Sequence, residues 1–220
     1  MNSGIIVDPN EPLPQALANE YWETSAKLIL EHFFPKRFID LSVDGERPDL
    51  RNAEVGVEIT SAENEESQEI DSLYLHRYMC GNEKQKEKTL KRIEELGGRA
   101  EKYFLVHSGR FRDLGKIYSR VKTKTQRLNT NYDIFPENDL FIYDSCLILD
   151  QELPGILSAI IESSAKYTVR FDSVFLYCFG GDLYEFNLRN KTHAHIDNSG
   201  KIVQQLVIDA RHIINEKYKE

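Results

Sequence analysis

The chain has 220 residues, is 40% hydrophobic, and carries a formal charge of -8 from 28 lysines and arginines against 36 aspartates and glutamates. No apolar run approaches the roughly 20 residues that a membrane-spanning helix needs, and the acid excess argues against a protein that coats nucleic acid nonspecifically, because phosphate binding draws on Lys and Arg. Cys80, Cys146 and Cys178 are widely spaced and odd in number, which fits reduced thiols better than a disulfide framework and offers no zinc-ligand spacing. The first residues lack the basic region and long apolar stretch of a signal peptide, so a cytoplasmic protein without a membrane partner is expected.

A polar lead-in ends at Pro12 and Pro14. The first predicted helix spans 15–34, where Trp22, Ala26, Ile29, Leu30 and Phe33 form an apolar stripe at three- and four-residue spacing, and Pro35 stops it. Phe38 to Val43 reads as a strand turned by Asp44 and Gly45. Pro48 forces Arg47 into an extended conformation, so Pro48-Asp49-Leu50 reads as the start of a second strand. In the third, Val55, Val57 and Ile59 alternate with Gly56, Glu58 and Thr60, the period-two signature of a strand with one apolar face. Glu58 and Thr60 therefore share a side. If the second and third strands pair as a hairpin, Asp49 and Glu58 come within reach of one cation. Two carboxylates on adjacent strands are the minimum hard-oxygen site for magnesium.

Residues 61–69 are too acidic and too poor in apolar side chains to be core; residues 70–79 read as a short helix or an ordered loop. Glu83 to Leu96 reads as a helix ended by Gly97 and Gly98, and Tyr103 to His107 as a short apolar strand suited to a buried sheet position. The basic run Arg110, Arg112, Lys116, Arg120, Lys122, Lys124 and Arg127 leads into and along the next helix, Asp113 to Leu128; its bland reading is a solvated helix face. The strand Asp139 to Tyr143 follows, then a helix at 152–165. Phe171 to Phe179 is an aromatic strand, and a turn at Gly180-Gly181-Asp182 leads into Leu183 to Leu188. Thr192-His193-Ala194-His195 sets two histidines on one strand face, read as a polar hairpin edge rather than a transition-metal site. A helix at 203–218 packs back on the domain.

Pro48-Asp49 followed by Glu58-Ile59-Thr60, in the order helix, three strands, helix, strand over residues 15–107, resembles the PD-(D/E)XK nuclease superfamily. The resemblance implies an α/β fold with a mixed central sheet flanked by helices, a restriction-endonuclease-like core at about 15–145, and C-terminal strand and helix additions at 146–220 in a single domain. It also implies a magnesium or manganese site at Asp49, Glu58 and the Ile59 carbonyl, with Glu23 (Glu20 as the alternative) contributed by the first helix to orient a water. Threonine stands at position 60, where the family has a lysine, and a hydroxyl supplies no positive charge. The segment from Lys116 to Tyr132 is similar to an arrangement in a bacterial branch of the superfamily with the same glutamate-x-threonine ending, which makes Lys122 and Lys124 candidates for the displaced lysine. Two residues apart, they cannot share one helix face.

The expected function is metal-dependent hydrolysis of nucleic-acid phosphodiesters, DNA more than RNA, with Thr60 holding the water or phosphate. The alternative is a catalytically degenerate scaffold that binds nucleic acid or a protein. A third reading is homo-oligomer assembly through the aromatic C-terminal strands.

Overall fold

The computed structural model describes residues 17–43, 47–63, 65–74, 82–101, 104–107, 113–144, 148–178, 181–196 and 199–217. The turn expected at Asp44 and Gly45, together with Cys80 and Cys146, lies outside them. The elements are α1 (Ala18–Phe33), β1 (Ser42–Val43), β2 (Leu50–Arg51), β3 (Val55–Ser61), α2 (Glu65–Ser72), α3 (Glu83–Glu95), β4 (Gly98–Glu101) and β5 (Phe104–His107). They continue with α4 (Leu114–Leu128), β6 (Glu137–Asp144), α5 (Leu153–Ser164), β7 (Ser173–Cys178), β8 (Asp182–Asn187), β9 (Thr192–Ile196) and α6 (Ser199–Lys217). Among the described residues no helix is long and apolar enough to cross a membrane.

A mixed sheet of seven strands in the order β1-β2-β3-β6-β7-β8-β9 forms the middle layer of an α/β fold. β1, β2 and β3 run antiparallel, β3, β6 and β7 run parallel, and β8 and β9 return antiparallel. Neighbouring residues of β6 and β7 feed opposite faces. Phe141, Tyr143, Phe175 and Tyr177 pack with Tyr21, Ile29 and Leu30 of α1 and Val203 and Val207 of α6. Leu140, Ile142, Val174 and Leu176 pack with Ile117 and Val121 of α4 and Ile156 and Ile160 of α5. Strands covered on both sides have no solvated face. For that reason β3 departs from the expected single apolar face: Gly56 and Glu58 are buried along with Val55 and Val57.

Two expectations need correction. Phe104–His107 does not join the central sheet; it pairs antiparallel with Gly98–Glu101 in a separate two-stranded sheet. The helix and strand that follow the first three strands in the central sheet are α4 and β6, whose residues pair with β3 from Val55↔Glu137 to Ser61↔Tyr143. The central sheet and its helices take the order α1, β1 to β3, α4 and β6, with α2, α3, β4 and β5 between β3 and α4 in the chain, so the expected placement over residues 15–107 does not hold. Secondly, the strand expected over Phe38 to Val43 shrinks to its last two residues. Phe38 and Leu41 are buried while Ile39 is exposed, so this segment packs as a turn over the core.

Residues 61–69 are less solvated than their charge implies. α2 starts at Glu65, and Ala62, Glu63, Ser67 and Ile70 are buried. Ile70, Leu73, Tyr74 and Ile93 make a small satellite core beneath the insertion. The aromatic side chains of β7 and β8 that suggested self-association, Phe175, Tyr177, Tyr184 and Phe186, are spent on the chain's own core. β9 is an edge strand; His193 is exposed, and the two ring nitrogens of His195 face Asp150 and Asp182 at 2.9 and 3.3 Å. At the turn into β8, Gly181 has φ 101°, and a Cβ there would lie 2.3 Å from the Gly200 Cα.

Arg37, just after α1, closes the opposite end of the parallel strands. Its Nη2 donates to both oxygens of the fully buried Asp139 at 2.7 and 2.8 Å, and its Nη1 reaches Glu185 at 3.0 Å. Removing one member of a buried pair leaves an uncompensated charge. Arg37→Ala is expected to cost about 3–5 kcal/mol in urea unfolding, and Arg37→Ala/Asp139→Asn to cost less than Arg37→Ala alone. Strictly additive losses would contradict a coupled pair.

Candidate active site

The β2–β3 register pairs Leu50 with Val57 and Arg51 with Gly56. One step further along the ladder sets Asp49 across from Glu58. Gly56 permits this close pairing: a Cβ there would stand 2.7 Å from both Pro48 Cγ and Phe135 Cδ2, so the absence of a side chain lets the Pro48 turn press against β3. Beyond the short β2, the carboxylate of Asp49 replaces a backbone acceptor, taking the Ile59 N–H on Oδ2 at 2.6 Å.

Glu58 is only 3% exposed. Its Oε1 accepts from two donors, the Lys124 ammonium and the Tyr132 hydroxyl, the latter at 2.6 Å. Its Oε2 is buried without a hydrogen-bond partner. The Lys124 Nζ also lies 3.3 Å from the Ile59 carbonyl oxygen. Lys124 reaches this position because it stands in the stripe by which α4 packs on the sheet: Ile117, Val121 and Leu128 are buried at four- and seven-residue intervals, and position 124 falls between them on the same face. Lys122 is displaced from that face and exposed. Of the two candidate lysines, the structure brings Lys124 to the carboxylates.

Glu23 approaches from α1. Its neighbour Trp22 is anchored to β6, with the Trp22 carbonyl accepting from the Tyr143 hydroxyl at 2.7 Å and the two rings meeting edge-on at 5.0 Å. Burial pushes the Glu23 carboxyl up to about 7, and the charges of Asp49, Glu20 and Glu58 add to the rise. Asp49 is pushed up to about 6, by burial and then by Glu58, against the pull of the Ile59 N–H, Lys124 and Arg47. Glu23, Asp49 and Glu58 therefore share one electrostatic neighbourhood. Glu20 is engaged elsewhere, in an ion pair with Lys217 of α6. Thr60 lies two residues along β3 from Glu58, on the same side by strand periodicity and half-buried. The Ile59 side chain packs on the opposite core.

Among the described residues, no group of three His, Cys, Asp or Glu side chains is drawn together as a ready metal site. The donors do suit a hard divalent cation: a buried carboxylate oxygen without a partner, a second carboxylate across the hairpin, and a carbonyl already facing a positive charge. Tyr132, Arg47 and Arg127 also belong to this site and were not among the expected residues. Burial pushes the Tyr132 hydroxyl well above its usual range, with Glu58 adding to the rise and Arg127 opposing it, and the Arg47 guanidinium lies over the ring at 5.9 Å.

No family model, curated protein or solved structure matches the chain.

The crowded carboxylates set a pH dependence. Between the ordinary values of 4.5 and 3.8 and the raised values of about 7 and about 6, the folded chain holds protons on Glu23 and Asp49 that the unfolded chain has lost. These groups therefore leave stability intact in acid and lower it as pH rises through that window. Glu23→Gln and Asp49→Asn are each expected to raise Tm at about pH 7.5 and to leave it nearly unchanged at about pH 4. Equal shifts at both pH values would contradict the raised values, which burial and then the neighbouring acids produce.

Proposed function

We propose that the chain is a metal-dependent nuclease of the PD-(D/E)XK kind, hydrolysing nucleic-acid phosphodiesters. The observation that carries this reading is the division of Glu58: one oxygen is held by Lys124 and Tyr132, while the other is buried without a partner, on a residue one ladder step from the Leu50–Val57 pair and so across from Asp49. The resemblance expects an ammonium at position 60. Here Lys124 of α4 carries one to the same glutamate, which supports the idea of a displaced lysine.

Asp49, Glu58 and the Ile59 carbonyl would hold magnesium or manganese. Bound there, the ion supplies the Lewis acidity that cleavage of a phosphodiester requires. Glu23, poised near neutrality, accepts a proton from the attacking water as its oxygen bonds to phosphorus. The bond from phosphorus to the leaving oxygen breaks with its electron pair passing to that oxygen, which takes a proton from solvent water. Lys124 offsets the charge gathering on the phosphate, and Thr60 offers a hydroxyl to the water or to a phosphate oxygen.

The same ammonium favours a second reading. A buried Lys–Glu–Tyr cluster satisfies itself, and a scaffold that had lost catalysis could keep it to hold α4 on β3 while binding nucleic acid or a protein. Titration calorimetry with manganese separates the two. The nuclease reading expects a binding isotherm that disappears in Asp49→Ala and in Glu58→Ala, with cleavage of labelled DNA or RNA lost in the same variants. Lys124→Ala is expected to lower kcat by about 100-fold or more. Absence of manganese binding by the unaltered chain would favour the scaffold, and cleavage unaffected by Asp49→Ala would contradict the proposed site.

A further inference from the structure

Tyr132 joins the buried carboxylate to the surface. Its side chain is 8% exposed, its hydroxyl donates to Glu58, and the Arg47 guanidinium sits over its ring. Arg127 lies in the last turn of α4, three residues after Lys124, and its charge acts on the same hydroxyl. Both arginines are exposed, and no carboxylate among the described residues is in ion-pair contact with either. Arg37, Arg92 and Arg189 are each paired with an acid; what distinguishes Arg47 among the arginines without an acid partner is its place over the Tyr132 ring beside the carboxylates.

We propose that Arg47, held over the ring of Tyr132, and Arg127, in the last turn of α4, form a phosphate-binding subsite that takes a backbone phosphodiester next to the one at Asp49 and Glu58. This rests on the nuclease reading and adds to it the means by which an acidic site accepts an anionic strand. Three carboxylates repel a phosphate, and the ammonium of Lys124 is already engaged by Glu58. A dication in the cluster would answer this at the scissile phosphate alone, so positive charge for the neighbouring phosphate comes from outside the carboxylate cluster. A guanidinium resting on an aromatic ring is restrained with little loss of hydration, and its planar donors match two phosphate oxygens at once. Arg47 is two residues from Asp49, and Arg127 is three from Lys124 along α4, so a strand gripped by both passes over the carboxylates.

The test uses the full chain with EDTA present, so that nothing is cleaved, and follows fluorescence anisotropy of a labelled DNA duplex and of an RNA duplex of the same sequence. Salt is varied over about 50–200 mM. Arg47→Ala/Arg127→Ala is expected to weaken binding of at least one duplex about tenfold or more at the low-salt end and to lower the slope of log K against log salt by about 2. Lys191→Asn/Lys201→Ala removes the same charge at the β9 side of the molecule and is expected to change the slope little. Equal losses in the two double variants would reduce the effect to net charge and overturn the subsite; so would unchanged binding in the arginine variant, or no binding by the unaltered chain. Failure of the nuclease reading shows separately, as magnesium-supplemented protein that binds the duplex in an arginine-dependent way and never cuts it.

Discussion

Burying a carboxylate costs several kcal/mol unless donors meet it, and the centre of this molecule is arranged around meeting that cost at Glu58. β3 carries the residue into the layer between sheet and α4. Lys124 and Tyr132, from the end of α4 and the turn after it, converge on one oxygen. The other oxygen is left without a protein partner. A side chain held by one atom and open at the other is fixed in direction, which a structural ion pair alone does not require.

The same contact accounts for the placement of neighbouring elements. α4 must lie on β3 with Lys124 inward, so its apolar stripe and its one inward cation share a face. β6 then returns parallel to β3, and Tyr143 at its far end anchors Trp22, which carries Glu23 toward the cluster. On the other edge, the short β2 ends where Asp49 turns its carboxylate onto the Ile59 N–H. Three separate stretches of chain thus bring acids into one electrostatic neighbourhood. Burial, and after it their mutual repulsion, raises Glu23 and Asp49, and a divalent cation would offset the charge of both.

Local pattern made much of this legible. The alternation in Val55 to Thr60 gave β3, the stripe of α1 gave its helix, and the hairpin logic of Pro48 placed Asp49 opposite Glu58. The choice of Lys124 over Lys122 was also readable, since Ile117, Val121, Lys124 and Leu128 follow one four-three-four spacing, but only by treating a lysine as a member of an apolar stripe. What could not be read was long-range. Nothing in the apolar run before His107 says which sheet it joins, and a short hydrophobic strand is the same signal in a satellite hairpin as in a central sheet. Arg37 meets Asp139 and Glu185 across more than a hundred residues of chain. Tyr132 and Arg47 gain their roles only from the turn geometry that brings them together.

The most direct measurement is a crystal grown or soaked with manganese and examined by anomalous scattering. The account requires a peak bridging Asp49 and Glu58 Oε2, about 2.0–2.2 Å from its oxygen ligands as expected for a small octahedral dication, with Lys124 retained on Glu58 Oε1. A fully occupied manganese elsewhere on the chain, with Glu58 Oε2 still unliganded, would contradict it.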